Sequence, residues 1–137
     1  MDNTRDLPGY KYYVDPQTGE RPAVYVAYVD LVPDPTAAVD GVVFEPTNLP
    51  ELDVRERNYE RREVTSHVSP PVGGCVWAYF GTEAAHERFD RGLRTKTAVI
   101  AREYLDKLRH GVPRFDASTD PPPVPIRDLR RIDIPQT

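Results

Sequence analysis

The stretch Leu52-Asp53-Val54-Arg55-Glu56-Arg57-Asn58-Tyr59-Glu60-Arg61-Arg62-Glu63-Val64 decides how this chain is read. Just upstream, Asn48-Leu49-Pro50-Glu51 has the form of a helix start, with Asn48 as N-cap, Pro50 in the first turn and Glu51 placed to reach back. Leu49 and Leu52, three apart, are expected to anchor that short helix on a sheet. Downstream, residues 59–68 are strongly polar. Val64 and Val68 fall on one parity and Tyr59, Arg61, Glu63 and Thr65 on the other, the pattern of a strand with one wet face. Glu56 therefore stands where helix gives way to strand. Taken alone, a carboxylate surrounded by Arg55, Arg57, Arg61 and Arg62 reads first as a solvated ion-pair surface.

Working toward the N-terminus, Val39-Asp40-Gly41-Val42-Val43-Phe44-Glu45 predicts a strand with Gly41 as a bulge or close-approach point. Val32-Pro33-Asp34-Pro35-Thr36 interrupts pairing, because proline has no N–H for a ladder. Residues 23–31 are nearly apolar on both faces apart from Asp30 and predict a central strand. Tyr10-Lys11-Tyr12-Tyr13-Val14 predicts another, and the turn Asp15-Pro16-Gln17-Thr18-Gly19 joins the two as a hairpin. Leu7-Pro8-Gly9 is a turn signal before them.

Toward the C-terminus, Ser69-Pro70-Pro71-Val72-Gly73-Gly74 predicts a loop, and residues 75–80 a fifth strand in which Cys75 is a small buried filler. Thr82 is placed to cap a helix over 83–90. Ala98, Ala101, Leu105 and Leu108 recur at helical spacing, widened by Val99, Ile100 and Tyr104, with Gly111 and Pro113 closing that helix. Residues 116–137 are proline-rich and predict an extended segment strapped to the body by Ile126, Leu129, Ile132 and Ile134. The expected fold class is α+β: a small, curled or closed mixed β-sheet with flanking helices. Residues 1–115 are expected to form a single domain, with 116–137 packing on it as an extension.

Size and composition bound the rest. The chain has 137 residues, enough for one core, and a mean hydropathy of −0.60 with 15 prolines favours loops and short strands. A net charge of −4 supplies no field for nucleic acid or an anionic membrane, and no apolar run approaches the ~20 residues of a membrane span. With a single cysteine there is no disulfide framework, and the N-terminus lacks the marks of a secretory signal, so a reducing cytoplasm is the expected compartment. His67, His86 and His110 are scattered without ligand spacing, and no Gly-x-Ser-x-Gly elbow or phosphate-binding Gly-Lys loop occurs. The arginines at 55–62 and 127–131 are diluted by Glu56, Glu60, Glu63, Asp128 and Asp133, a pattern of ion pairing rather than RNA contact.

The ordered set of motifs goes further. Leu-Asp-x-x-Glu at 52–56, followed by Asn-Tyr-x-Arg-x-x-Val at 58–64, resembles the gamma-glutamylcyclotransferase family. Leu7-Pro8-Gly9-Tyr10, Val39-Asp40-Gly41-Val42-Val43-Phe44 and Val76-Trp77-Ala78-Tyr79-Phe80-Gly81 agree with it in consistent order, over about residues 7–80. The resemblance implies a barrel-like sheet with helices outside, a small-molecule gamma-glutamyl substrate, and no metal or organic cofactor. It implies cyclisation of the substrate to 5-oxoproline with release of an amine or shortened peptide. Glu56 takes the position of the catalytic carboxylate, with Tyr59 and Arg61 as substrate-binding, wall or orienting residues. One departure stands out. The family's opening strand ends in a Tyr-Gly-Ser-Leu-type turn, whose backbone N–H groups bind the substrate carboxylate, and no such motif precedes Leu7. Tyr79-Phe80-Gly81-Thr82 looks superficially similar but belongs by order to the later strand. The expected explanations are an internal start, a naturally shortened relative, or a strand supplied by another chain. A missing strand would expose unpaired backbone, so a homo-oligomer is expected. The alternative function is a non-catalytic, small-molecule-binding or oligomer-forming remnant of the same fold.

Overall fold

Backbone hydrogen bonds and burial sort the chain into short elements, and the computed structural model describes them over residues 1–111 and 122–136. In chain order these are β1 (Lys11–Val14), β2 (Tyr25–Val26), α1 (Leu49–Arg55), β3 (Tyr59–Glu63), a 3-10 turn (Thr65–His67), β4 (Trp77–Gly81), α2 (Glu83–Arg94), β5 (Ala98–Ala101), α3 (Arg102–Gly111), β6 (Ile126–Arg127) and β7 (Arg130–Asp133). The fold is α+β, with three α-helices and several small sheets among the described residues. The chain divides into two units, Met1–Tyr28 with His86–Thr137, and Val29–Ala85.

The first unit is built on β5, all four of whose residues are buried. It pairs in parallel with β2 on one side (Tyr25↔Ala98, Val26↔Val99) and with β6 on the other (Ile100↔Ile126, Ala101↔Arg127). Because successive strand side chains point to opposite faces, β5 feeds two clusters. Val99 and Ala101 pack with Tyr13, Val24, Val26 and Leu129, whereas Ala98 and Ile100 pack with Leu105 of α3 and Val124. Gly92 of α2 lies so close that a Cβ there would sit 3.0 Å from the Cβ atoms of both Ala98 and Tyr25, so only glycine fits without movement. β1 pairs antiparallel with β7, from Lys11↔Asp133 to Val14↔Arg130. Asn3 is fully buried and ties three backbone groups together. Its Nδ2 donates to the carbonyls of Tyr13 and Pro22, both at 2.9 Å, and its Oδ1 accepts from the Tyr13 N–H at 2.8 Å.

The second unit holds α1 and the ribbon β3–β4, which pair antiparallel from Tyr59↔Gly81 to Glu63↔Trp77. The Asn48 side chain accepts from the Glu51 N–H at 3.1 Å, capping α1 as its sequence predicts. Thr82 Oγ1 likewise accepts from the Ala85 N–H at 3.1 Å at the start of α2.

Several expectations are corrected. Residues 10–14 and 23–31 do not form a hairpin: β1 takes β7 as its partner and β2 takes β5, and only Tyr25–Val26 of the longer run is strand. Residues 39–45 form no strand, with Val42 at 89% and Phe44 at 69% exposure, since strand propensity does not by itself supply a ladder partner. The apolar run from Ala98 is strand over Ala98–Ala101 and helix only from Arg102, because four consecutive apolar residues satisfy both periodicities and the parallel neighbours decide. Leu49 and Leu52 are only half-buried, and α1 contains no buried residue. Cys75 is exposed and precedes the strand. Residues 126–133 are woven into two sheets, with Leu129 5% exposed, whereas residues 116–121 of the expected extended segment and the stop at Pro113 lie outside the described residues. No helix among the described residues is long and apolar enough to cross a membrane.

Asn3→Ala leaves an N–H and two carbonyls of the first unit without their partners. Its expected cost is about 3 kcal/mol of unfolding free energy in a urea titration, with the denaturant slope unchanged.

Candidate functional site

The helix-to-strand switch is held by backbone bonds on both sides of Glu56. This residue is the C-cap of α1, at φ −88° and ψ 39°, and its N–H donates to the Leu52 carbonyl at 2.9 Å. Its own carbonyl accepts from the Tyr59 N–H at 2.8 Å, so the chain leaves the helix and enters β3 within three residues. The Glu56 carboxylate meets Arg55 Nε at 3.2 Å, and its side chain is 31% exposed. It is half-sheltered.

Asp53 stands one helical turn earlier and on the same face of α1. Its two oxygens reach different strands of the ribbon. Oδ1 accepts from the Tyr79 hydroxyl of β4 at 2.6 Å, and Oδ2 pairs with Arg61 Nη2 of β3 at 3.3 Å. Arg61 and Tyr79 are direct cross-strand partners, and the Arg61 guanidinium also lies 4.8 Å over the Trp77 ring. Burial, then the bond to Asp53 and the charges of Asp53 and Glu56, push the Tyr79 phenol up to about 12, with Arg61 acting in the opposite sense. Tyr79 is thus a neutral donor at ordinary pH.

The other residues singled out by sequence fall around this group. Arg61 is in it. The Tyr59 hydroxyl donates to the Val29 carbonyl at 2.8 Å, which ties β3 to the start of the unit. In the Tyr79-Phe80-Gly81-Thr82 quartet, the Gly81 N–H donates to Asp30 Oδ1 at 2.6 Å and the Thr82 N–H to the Asn58 carbonyl at 3.1 Å. Both donors are committed to the fold. Asp53, Tyr79 and Trp77 stand inside motifs read from the sequence, but the sequence gives none of them a role in the site. The available signals were the three-residue spacing of Asp53 and Glu56 and the shared parity of Trp77 and Tyr79, but neither names a partner across the ribbon.

Elsewhere, two open concavities of about 400 Å³ each lie in the first unit. In the first, Arg21 is consumed by Asp6 at 2.6 Å and by the Asn3 carbonyl at 2.5 Å; in the second, Arg102 is consumed by Asp128 at 2.5 Å. Among the described residues no group of three or more His, Cys, Asp or Glu side chains is placed to hold a metal ion. A hydrogen bond to Glu63, and that carboxylate's charge, push the Cys75 thiol up, away from the reactive thiolate. Comparison of the chain with protein-family models, curated proteins and solved structures returns no match.

A phenol raised from 10.0 to about 12 contributes stability that is fully present below pH 10 and is lost as pH rises through about 12. The difference in tyrosinate absorbance between the wild type and Tyr79→Phe is expected to titrate with that raised midpoint. Asp53→Asn, which removes the carboxylate charge, is expected to move the midpoint down.

Proposed function

We propose that the chain is a gamma-glutamylcyclotransferase-like protein, which closes a gamma-glutamyl amine or peptide to 5-oxoproline and releases the amine. The observation that carries this reading is the half-sheltered Glu56 carboxylate at the α1-to-β3 switch, three residues after Asp53, which binds Arg61 and Tyr79. The order of motifs around that switch supports it.

In this reading the substrate supplies its own nucleophile, so proximity is largely intramolecular. Glu56 takes a proton from the substrate's α-ammonium, and the freed amine attacks the γ-carbonyl carbon. The attacking nitrogen gives up its second proton to solvent, the tetrahedral oxyanion collapses, the γ-amide C–N bond breaks, and the protonated Glu56 returns its proton to the leaving nitrogen. One carboxylate serves as base and then acid. Tyr59 and Arg61 line and orient the site. The reading also carries a curled, barrel-like sheet. It calls for no metal or organic cofactor and fits a reducing cytoplasm.

The second reading, a non-catalytic remnant that binds a small molecule or self-associates, draws support from the Arg55–Glu56 ion pair, an ordinary use of a surface carboxylate.

Release of 5-oxoproline from a panel of gamma-glutamyl amines and peptides separates the two. The expected result is release by the wild type and a loss of about 10²-fold or more in Glu56→Gln. Absence of release from a folded wild type supports the remnant, and release that survives Glu56→Gln assigns the proton transfer to another group.

A further inference from the structure

α1 is seven residues long and has no buried side chain, so apolar packing does not fix where its last turn sits. Among the described residues, Asp53 ties it to both strands of the ribbon. Asp53 accepts from the Tyr79 hydroxyl of β4 at 2.6 Å with one oxygen and pairs with Arg61 of β3 at 3.3 Å with the other. These two partners face each other across the ribbon, so a single carboxylate bridges both strands. Charge-assisted bonds of this kind are directional as well as strong, and Arg61 is braced further by the Trp77 ring at 4.8 Å. Glu56 follows Asp53 by three residues on the same face, and its backbone N–H is still inside the helix ladder.

We propose that Asp53 is the positioning residue of the Glu56 site, acting through Tyr79 and Arg61 to set the carboxylate that moves the proton. The inference rests on the cyclotransferase-like reading of Glu56. It changes the part played by Arg61, whose guanidinium is committed to Asp53 and Trp77 and acts as a brace on the helix. It also brings in Tyr79, which is outside the family motif at 52–64. The clamp supports Glu56 only indirectly, so its loss misplaces the base without removing it. The expected signature is a fall in kcat with KM little changed, because the proton transfer suffers more than ground-state binding.

The variants divide the clamp. Asp53→Asn keeps an oxygen for the Tyr79 hydroxyl and loses the pair with Arg61; Tyr79→Phe does the reverse; Asp53→Ala loses both. Each of the first two is expected to lower kcat for 5-oxoproline release by about 10-fold and Asp53→Ala by about 10²-fold, the scale of a small misplacement of a catalytic group. Adding Tyr79→Phe to Asp53→Ala is expected to cost nothing more, since the two act as a unit. Should Asp53→Ala fail to fold, the near-isosteric Asp53→Asn and Tyr79→Phe carry the test. Release that Glu56→Gln abolishes but Asp53→Asn and Tyr79→Phe leave intact overturns the positioning role alone. Losses in KM with kcat preserved, or a Tyr79→Phe effect undiminished in the Asp53→Ala background, overturn it as well. No release from the wild type, or release indifferent to Glu56→Gln, overturns the Glu56 reading and the positioning role together, so the two failures are told apart.

Discussion

Burial of Ala98–Ala101 is the constraint on which the first unit depends. A four-residue strand with every side chain out of water must find ladder partners on both edges and apolar cover on both faces. The chain meets those needs from widely separated segments. β2 and β6 supply the edges, and Tyr13, Val24, Leu129, Leu105 and Val124 help supply the cover. A helix presenting a bulky residue at position 92 would stand off from β5, and Gly92 removes that obstacle. Burying Leu105 alone contributes roughly 2 kcal/mol.

The second unit is held together differently. Its helix has no buried residue, and many of its apolar side chains, including Val39, Val42, Val43 and Phe44, lie exposed. Cross-strand pairs order the ribbon, and named polar contacts bind the rest to it: Asp53 to Tyr79 and Arg61, Tyr59 to the Val29 carbonyl, and Asp30 to the Gly81 N–H. Polar contacts of this sort add modest net stability but strong geometric preference. Glu56 lies in this unit, its carboxylate paired with Arg55 at 3.2 Å.

The half-exposed setting of Glu56 frames the functional question. Glu56 is 31% exposed, pairs with Arg55 at 3.2 Å and follows the Asp53 clamp by three residues. Tyr79, kept protonated by burial and by its bond to Asp53, adds a donor whose state does not change across physiological pH.

What could be read without coordinates was local. The Asn48 cap, the start of α2 at Thr82, the strand β1 and the helix-to-strand switch around Glu56 each follow from a few adjacent residues, since caps, turns and periodicity act over one or two turns of chain. The identity of Glu56, Tyr59 and Arg61 as residues of interest came from the same stretch. Which strand meets which was not local. β1 turns to β7 rather than to β2, the run at 39–45 takes no ladder partner, and Ala98–Ala101 becomes strand because β2 and β6 are there to pair with it. Asp53 and Tyr79 are 26 residues apart, and nothing in either one's neighbourhood specifies the other. Sequence alone determined the short-range elements and the carboxylate at their junction. Tertiary structure decided the pairings and the clamp, because those energies exist only when distant segments share burial and hydrogen bonds.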